Sequence, residues 1–483
     1  MTSVTSVRNL RLKFPGESKM LFRDMSLSIN RGEKVLLLGT SGCGKSTLLQ
    51  VLSGLVPRTI DIPMKCDDIQ IPDQWGFVFQ DPDTQFCMPY VDEELAFVLE
   101  NLEVPREEMT SKICSLLKEV GLELENIHTP IQHLSGGMKQ RLAIASVLAL
   151  KPDVIFLDEP TAFIDEKGTE QIWETVKRIW KDKTLIIVEH KIEKILDFAD
   201  RLIVFTPDGE ILADGNTSMV FTHYKEKIKE FGIWYPGAWD DYKREPIMNN
   251  KKELSNTMKL QIFKGYRNKE VKIVVDHLVI HSGEWVTIMG ENGAGKSSLL
   301  LALMQLIKTS GDYFINDVPI RKTKDISGLL YLVFQNPEYQ FLTNSVHDEI
   351  TYGLKNDQEI ESDVKEILSS LELTSKKEQH PYQLSVGQKR RLSVATAFLQ
   401  KPNILLLDEP TFGQDSLNTF KILEMIEQER QKGTIILMVT HDHHITERFA
   451  TRLWEVQNGR IVTDLQLNKG GNVQREILHE FII

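Results

Sequence analysis

Residues 34–55, KVLLLGTSGCGKSTLLQVLSGL, read as a short apolar strand stopping at Gly39, a glycine-rich turn, and a helix. An unbroken apolar run of that length suits a strand buried on both faces of a parallel sheet. The pattern occurs twice: GTSGCGKST (39–47) returns as GENGAGKSS (290–298), about 250 residues later. Further strings return in the same order at nearly the same interval. FVFQDPDTQF (77–86) returns as LVFQNPEYQF (332–341), LSGGMKQRL (134–142) as LSVGQKRRL (384–392), FLDEP (156–160) as LLDEP (406–410), and VEH (188–190) as VTH (439–441). Two homologous halves are joined in one chain.

Around this repeat the composition is that of an ordinary globular protein, 41% hydrophobic and 26% charged over 483 residues, so each half can bury a core of its own. The net charge of −12 argues against a protein whose main task is to coat nucleic acid. Cys43, Cys66, Cys87 and Cys114 are irregularly spaced with no CxxC pair, which indicates neither a disulfide framework nor a zinc site and suits a reducing, cytosolic setting. The opening MTSVTSVRNLRLKF has no signal-peptide apolar stretch, and no apolar run approaches membrane-spanning length. Membrane association is therefore expected only through a partner.

In the first half, VRNLRLKF and LFRDMSLSI read as strands preceding the glycine turn, and VIFLD, TLIIVEH and RLIVF as buried parallel strands following it. Between them lies a helical insert, where Ile113, Leu116, Leu117 and Val120 recur at helical spacing. Val364, Ile367, Leu368 and Leu371 repeat it in the second half. The expected organisation is one domain over 1–220, a short helix and linker over 221–256, a second domain over 257–465, and a tail over 466–483 that matches nothing in the first half.

Both glycine turns follow a strand and open a helix, which is the context a phosphate-binding P-loop requires. The candidate ATP-binding residues are Gly39, Thr40, Ser41, Gly42, Cys43, Gly44, Lys45, Ser46 and Thr47, with Gly290, Glu291, Asn292, Gly293, Ala294, Gly295, Lys296, Ser297 and Ser298 in the second copy. Glycines permit the positive φ angles that turn successive N–H groups toward phosphate oxygens, the lysine reaches the β and γ phosphates, and Ser46 or Ser297 ligates Mg²⁺. The apolar strands ending in Asp158-Glu159 and Asp408-Glu409 complete the set, the aspartates as Mg²⁺ partners and the glutamates as bases that polarise water.

With these motifs the chain resembles the nucleotide-binding subunits of ATP-binding-cassette (ABC) transporters. Leu134-Ser135-Gly136-Gly137-Met138 and Leu384-Ser385-Val386-Gly387-Gln388 are similar to that family's LSGGQ signature. The resemblance implies an α/β fold of two tandem P-loop NTPase domains, each with a RecA-like core, an N-terminal antiparallel β subdomain and a helical subdomain. It also implies two ATP molecules, with Mg²⁺, sandwiched between the halves, each facing Ser135 and Gly137 or Ser385 and Gly387 of the opposite signature. Gln80 and Gln335 match the Q-loop glutamine that contacts Mg²⁺, Asp165 and Asp415 the D-loop, and His190 and His441 the switch histidine. Phe14 and Tyr266 match the aromatic that stacks on adenine, with core packing as the competing role.

Met138 stands where glutamine is usual and Val386 where glycine is. Val386 is expected to resist any positive-φ geometry and to add bulk beside the phosphate. The second glutamines Gln85 and Gln340, VEHK (188–191) and the stretch after residue 212 resemble the ATPases of energy-coupling factor importers, which take up vitamins or metal ions and some of whose fused forms are linked to thiamine or hydroxymethylpyrimidine uptake. That resemblance implies a peripheral protein on the cytoplasmic side of the cell membrane. Its partners would be an integral membrane scaffold and a small membrane substrate-binding subunit, with no nucleic acid. Two other readings remain: a soluble twin-cassette ATPase acting on ribosomes or nucleic acid, and the ATPase of an exporter.

Overall fold

The computed structural model describes residues 2–17, 19–162, 164, 166–190, 192–243, 256–354 and 358–467. The chain divides between Ala238 and Trp239 into two compact units.

In the first unit a six-stranded sheet runs in the order Ile211–Asn216, Arg201–Phe205, Lys34–Leu38, Thr184–Val188, Val154–Asp158, Trp75–Val78. Only its first pair is antiparallel. Val154–Asp158 and Thr184–Val188 are buried along their whole length, as the uninterrupted apolar runs require. An antiparallel sheet of Phe22–Asn30, Ser3–Leu12, Met64–Lys65 and Asp68–Gln70, the last two both pairing with Ser3–Leu12, stands beside it. Helices Val91–Asn101, Arg106–Glu119 and Gly136–Ala149 form the insert, and Ile113, Leu117 and Val120 enter a core cluster with Leu95, Leu142 and Ile144.

The second unit repeats this layout within one ten-stranded sheet. The antiparallel strands Thr257–Arg267 and Glu270–His281 join the parallel part by a single bridge, Val274 to Arg460. Strands Trp285–Met289, Ile435–Val439 and Ile404–Asp408 correspond to the three central strands of the first unit. Helices Val346–Thr351, Gln358–Ser370 and Val386–Leu399 form its insert. Each unit thus has the parallel α/β core, antiparallel β subdomain and helical subdomain expected.

Residues 221–243 are packed rather than free. A helix from Thr217 to Glu230, capped by the Asn216 side chain on the Met219 amide, buries Val220 and Ile228. Ile233, Tyr235 and Ala238 then join the first unit's core. In the second unit Trp239 packs edge-on to Phe420 at 5.0 Å, and Tyr242 stacks on the same ring at 4.3 Å with its hydroxyl donating to Glu424. The short apolar stretches around 231–242 carry no regular period, so sequence pattern alone reads them as linker.

Since Trp239 is only 8% exposed, Trp239→Ala should destabilise the second unit by about 3–5 kcal/mol. Calorimetry should show one thermal transition moving down while that of the first unit holds its position.

Candidate active site

Strand order brings the chemistry together. The strand Thr184–Val188 lies between the one that feeds the first glycine loop, Lys34–Leu38, and the one that ends in Asp158 and Glu159. His190, just past its end, therefore reaches the carboxylates, its Nε2 lying 2.9 Å from Glu159 Oε1.

The loop glycines have two different reasons to be glycine. Gly42 and Gly44 have φ of 87° and 99°, and Gly293 and Gly295 of 83° and 110°, all in the left-handed region. Gly39 has no such angle; a Cβ there would lie 2.6 Å from Cys43 Sγ and 3.0 Å from Phe205 Cβ. Close approach, not torsion, excludes a side chain at Gly39. At Gly290 both apply, with φ 140° and a Cβ position 2.2 Å from the Val456 carbonyl oxygen.

Each loop wraps its own lysine. Lys45 Nζ donates to the carbonyls of Gly39 and Thr40 at 2.7 and 2.9 Å, and Lys296 Nζ to those of Gly290 and Glu291 at 2.6 and 2.9 Å. Cys43 is buried, and burial pushes its thiol up from its ordinary value. Helices Lys45–Ser53 and Lys296–Leu303 then start, with Ser46, Thr47, Ser297 and Ser298 in their first turns.

Ser46 Oγ donates to Asp158 Oδ1 at 2.7 Å. Burial raises the Asp158 carboxyl to about 6, against that bond; Asp408, bonded to Ser297, is raised for the same reason. A half-buried hydroxyl beside a buried carboxylate, an oxygen-only pair, fits Mg²⁺, which takes one or two protein ligands and completes its shell with phosphate and water. Among the described residues no cluster of three or more His, Cys, Asp or Glu side chains forms a self-sufficient metal site.

Glu159 and Glu409 sit in the left-handed region, with φ of 47° and 52°. A non-glycine residue there carries strain of order 1–3 kcal/mol, retained only where the surroundings enforce it. Here the amides of Glu159 and Glu409 extend the sheet, donating to the Val188 and Val439 carbonyls at 2.9 and 3.1 Å. Both oxygens of Glu159 are engaged, Oε1 with His190 and Oε2 with Gln80 Nε2 at 2.7 Å. Burial would raise the Glu159 carboxyl, but the imidazole of His190 outweighs it and the net shift is downward; in return Glu159 holds His190 above its ordinary value against burial. The arrangement pairs a carboxylate with an imidazole whose protonated form it favours, and an amide aims the carboxylate. In the second unit His441 Nε2 stands 3.5 Å from Glu409 Oε1, and Gln335 is exposed.

The signature segments cap helices. Ser135 Oγ accepts from the Met138 amide at 3.4 Å and Ser385 Oγ from the Gln388 amide at 3.3 Å. Gln388 returns the bond through its Oε1 to the Ser385 amide, closing a capping box that Met138 cannot close. Val386 is the first residue of its helix, not a left-handed one, and its side chain is 52% exposed. The expected conflict with positive φ therefore does not arise; bulk at the helix N-terminus is what distinguishes it from Gly136. Gly137 and Gly387 follow in the first turns, and Gln414 donates to the Gly387 carbonyl at 3.1 Å.

Asp415 caps the helix Ser416–Lys432 through the Asn418 amide. Asp165 lies outside the described residues. Phe14 is on an exposed turn, and Tyr266 is half-buried at a strand end with its hydroxyl 3.0 Å from Ser310 Oγ; neither belongs to a core cluster.

Sequence reasoning missed three buried acids, Glu94, Glu349 and Glu189. Gln85 and Gln340, singled out only by resemblance, tie the turns after Gln80 and Gln335 to the signature helices, donating to the carbonyls of Ala143 at 3.1 Å and Ser393 at 3.2 Å. Buried Glu94 and Glu349 hold the same turns from the other side, accepting from Cys87 and Met88 and from Leu342 and Thr343. Glu189, buried, accepts from Thr161 Oγ1 at 2.7 Å and from the His190 amide at 2.9 Å; its counterpart in the second unit is Thr440. The repeat of Glu94 as Glu349 in the two halves was the available signal.

A phosphate loop, an adjoining hydroxyl–carboxylate pair and a held glutamate define, twice over, a nucleoside triphosphate hydrolase of the P-loop class. The profile of the ABC transporter family matches residues 22–162 and 276–412, and the chain belongs to that family; it is a tandem ABC ATPase. It is 36% identical, over 92% of its length and 88% of the relative's, to a Bacillus subtilis protein provisionally named an HMP/thiamine import ATP-binding protein. It is 31% identical, over 94% and 88%, to a Methanosarcina mazei protein provisionally named an ABC transporter ATP-binding protein. In fold it is similar to an archaeal ribosome recycling factor solved with a ribosomal stalk protein, with a TM-score of 0.63 at 19% identity over 98% of this chain and 92% of that one.

The Glu159–His190 pair has a pH signature. Glu159, with its carboxyl below the ordinary 4.5, contributes stability that is present above that value and lost as pH falls; His190, held above 6.5, contributes stability present below that value and lost as pH rises. The stability gap between the parent and His190→Gln should be widest between about pH 4.5 and 6.5 and narrow on both sides, measured by urea unfolding across pH.

Proposed function

We propose that this chain is the ATPase subunit of a membrane importer of the energy-coupling factor type, working on a vitamin or its precursor. The relative named for HMP/thiamine import, similar over nine-tenths of both lengths, carries this reading. The exposed apolar side chains beside the second Q-loop agree with it. Tyr339, Leu342 and Tyr382 are 75%, 71% and 51% exposed, a surface suited to the end of a partner's helix. No helix among the described residues is long and apolar enough to cross a membrane, so the membrane-spanning part would belong to a scaffold and to a small substrate-binding subunit.

In this reading each half supplies a P-loop and a signature, and two ATP molecules are bound between them. Lys45 and Lys296 bind the terminal phosphates, and the N-termini of the helices starting at Gly136 and Val386 present amides and a serine to the opposite nucleotide. Ser46 with Asp158, and Ser297 with Asp408, would hold Mg²⁺, with Gln80 and Gln335 beside them. When bound, the ion neutralises charge on the phosphates. Glu159 and Glu409 accept the proton of the attacking water, while His190 and His441 stand against the carboxylates and fix their position. Phe14 and Tyr266 stack on the adenines. The turns held by Gln85 with Glu94, and by Gln340 with Glu349, carry closure to the partner.

Replacing both Glu159 and Glu409 by glutamine should lower ATP turnover by about 100-fold or more with nucleotide binding retained, read from phosphate release and nucleotide titration. Tagged chain recovered from native cells in mild detergent should bring a polytopic scaffold and a small hydrophobic membrane protein. Recovery with ribosomal proteins instead would overturn the importer reading.

A further inference from the structure

The signature helices of the two units differ at one buried position that faces the catalytic strand. In the second unit it is Arg390, 2% exposed. Its guanidinium donates through one terminal nitrogen to the Phe334 carbonyl at 2.7 Å and, at 3.5 Å, to the Asp408 carbonyl; the other terminal nitrogen donates to the Gln335 carbonyl. In the first unit the repeat places Gln140 there, also 2% exposed, and its Nε2 has no hydrogen-bond partner among the described residues.

We propose that Arg390 is a positioning residue of the second nucleotide site, a clamp fastening the backbone that carries Gln335 to the strand end that carries Asp408 and Glu409, with no counterpart in the first unit. The proposal rests on the ATPase assignment alone and stands or falls apart from the importer reading.

Two observations carry it. The three carbonyls belong to the two segments on which the second site's Gln335 and carboxylates are mounted, and one planar group spans both. A guanidinium spreads its donors in a plane over separate nitrogens and so reaches acceptors on two segments at once, whereas glutamine offers a single amide nitrogen and lysine gathers its donors on one point. The ties shared by both units do not supply this link. Lys139 to Asp83 and Lys389 to Glu338, like the Gln85 and Gln340 bonds, join the signature helix to the turn beyond the Q-loop glutamine and do not touch the catalytic strand.

The test uses the full chain with Arg390→Gln, the residue the first unit tolerates, and Arg390→Lys. Arg390→Gln should lower kcat for ATP by about fivefold with KM within about twofold of the parent, because positioning acts on turnover and not on ground-state binding. Arg390→Lys should regain a substantial part of the loss. Hydrogen exchange should be about tenfold faster at amides 334–342 in Arg390→Gln and unchanged at 79–87. Unchanged kcat, a loss appearing only as raised KM, or faster exchange spread over the whole second unit would overturn the proposal. Should Arg390→Gln fail to fold, Arg390→Lys alone decides: faster exchange confined to 334–342 with lowered kcat supports the clamp, and parental values of both exclude it.

Discussion

The hydrogen bond from Ser46 to Asp158 spans 112 residues of chain and can form only if the loop strand and the carboxylate strand end at the same height with one strand between them. That spacing leaves the intervening strand to deliver a histidine into the gap. The parallel pairing and the buried apolar runs of Val154–Asp158 and Thr184–Val188 serve to hold these ends level. In the second unit Ser297 and Asp408 make the corresponding contact.

Much of this was readable from residues alone, because burial on both faces forces continuous apolar runs and phosphate binding forces glycines. The duplication doubled every signal. What could not be read has physical reasons. The left-handed backbone at Glu159 and Glu409 is imposed by the amide bonds to Val188 and Val439, not by residue type, so no glycine or asparagine announces it. Gly39 was expected to serve torsion and serves contact instead, since only the fold brings Phe205 against it. Val386 was read as a torsional conflict because a glycine usually stands there; its place in a first helical turn removes the conflict. A charged residue carries no mark of burial in a sequence, and the structure shows both Arg390 and Glu189 buried.

The two units share a plan and differ in its details, and the differences have opposite sign. The first unit places an additional buried acid, Glu189, beside its switch histidine, where the second has Thr440. The second places an additional buried cation, Arg390, behind its carboxylates, where the first has Gln140. The signature caps differ too, Gln388 closing a reciprocal bond that Met138 leaves open. Buried charges act strongly on nearby carboxylates because little water screens them, so the two sites meet the same substrate with different electrostatic backgrounds.

The passage from one unit to the next also bears on how such a gene can change. Tyr235 and Ala238 belong to the core of the first unit, and Trp239 and Tyr242 pack against Phe420 in the second. A break downstream of residue 243 would strip Trp239 and Tyr242 from Phe420 and leave them as a sticky end on the first product, and a break upstream of about 233 would strip Ile233 and Tyr235 from the first core. Division into two separate genes is therefore an easy step only within a residue or two of the Ala238–Trp239 boundary, where each ring stays with its own unit. The fused form is thus protected against casual fission by a few aromatic rings, independently of any advantage that fusion gives to catalysis.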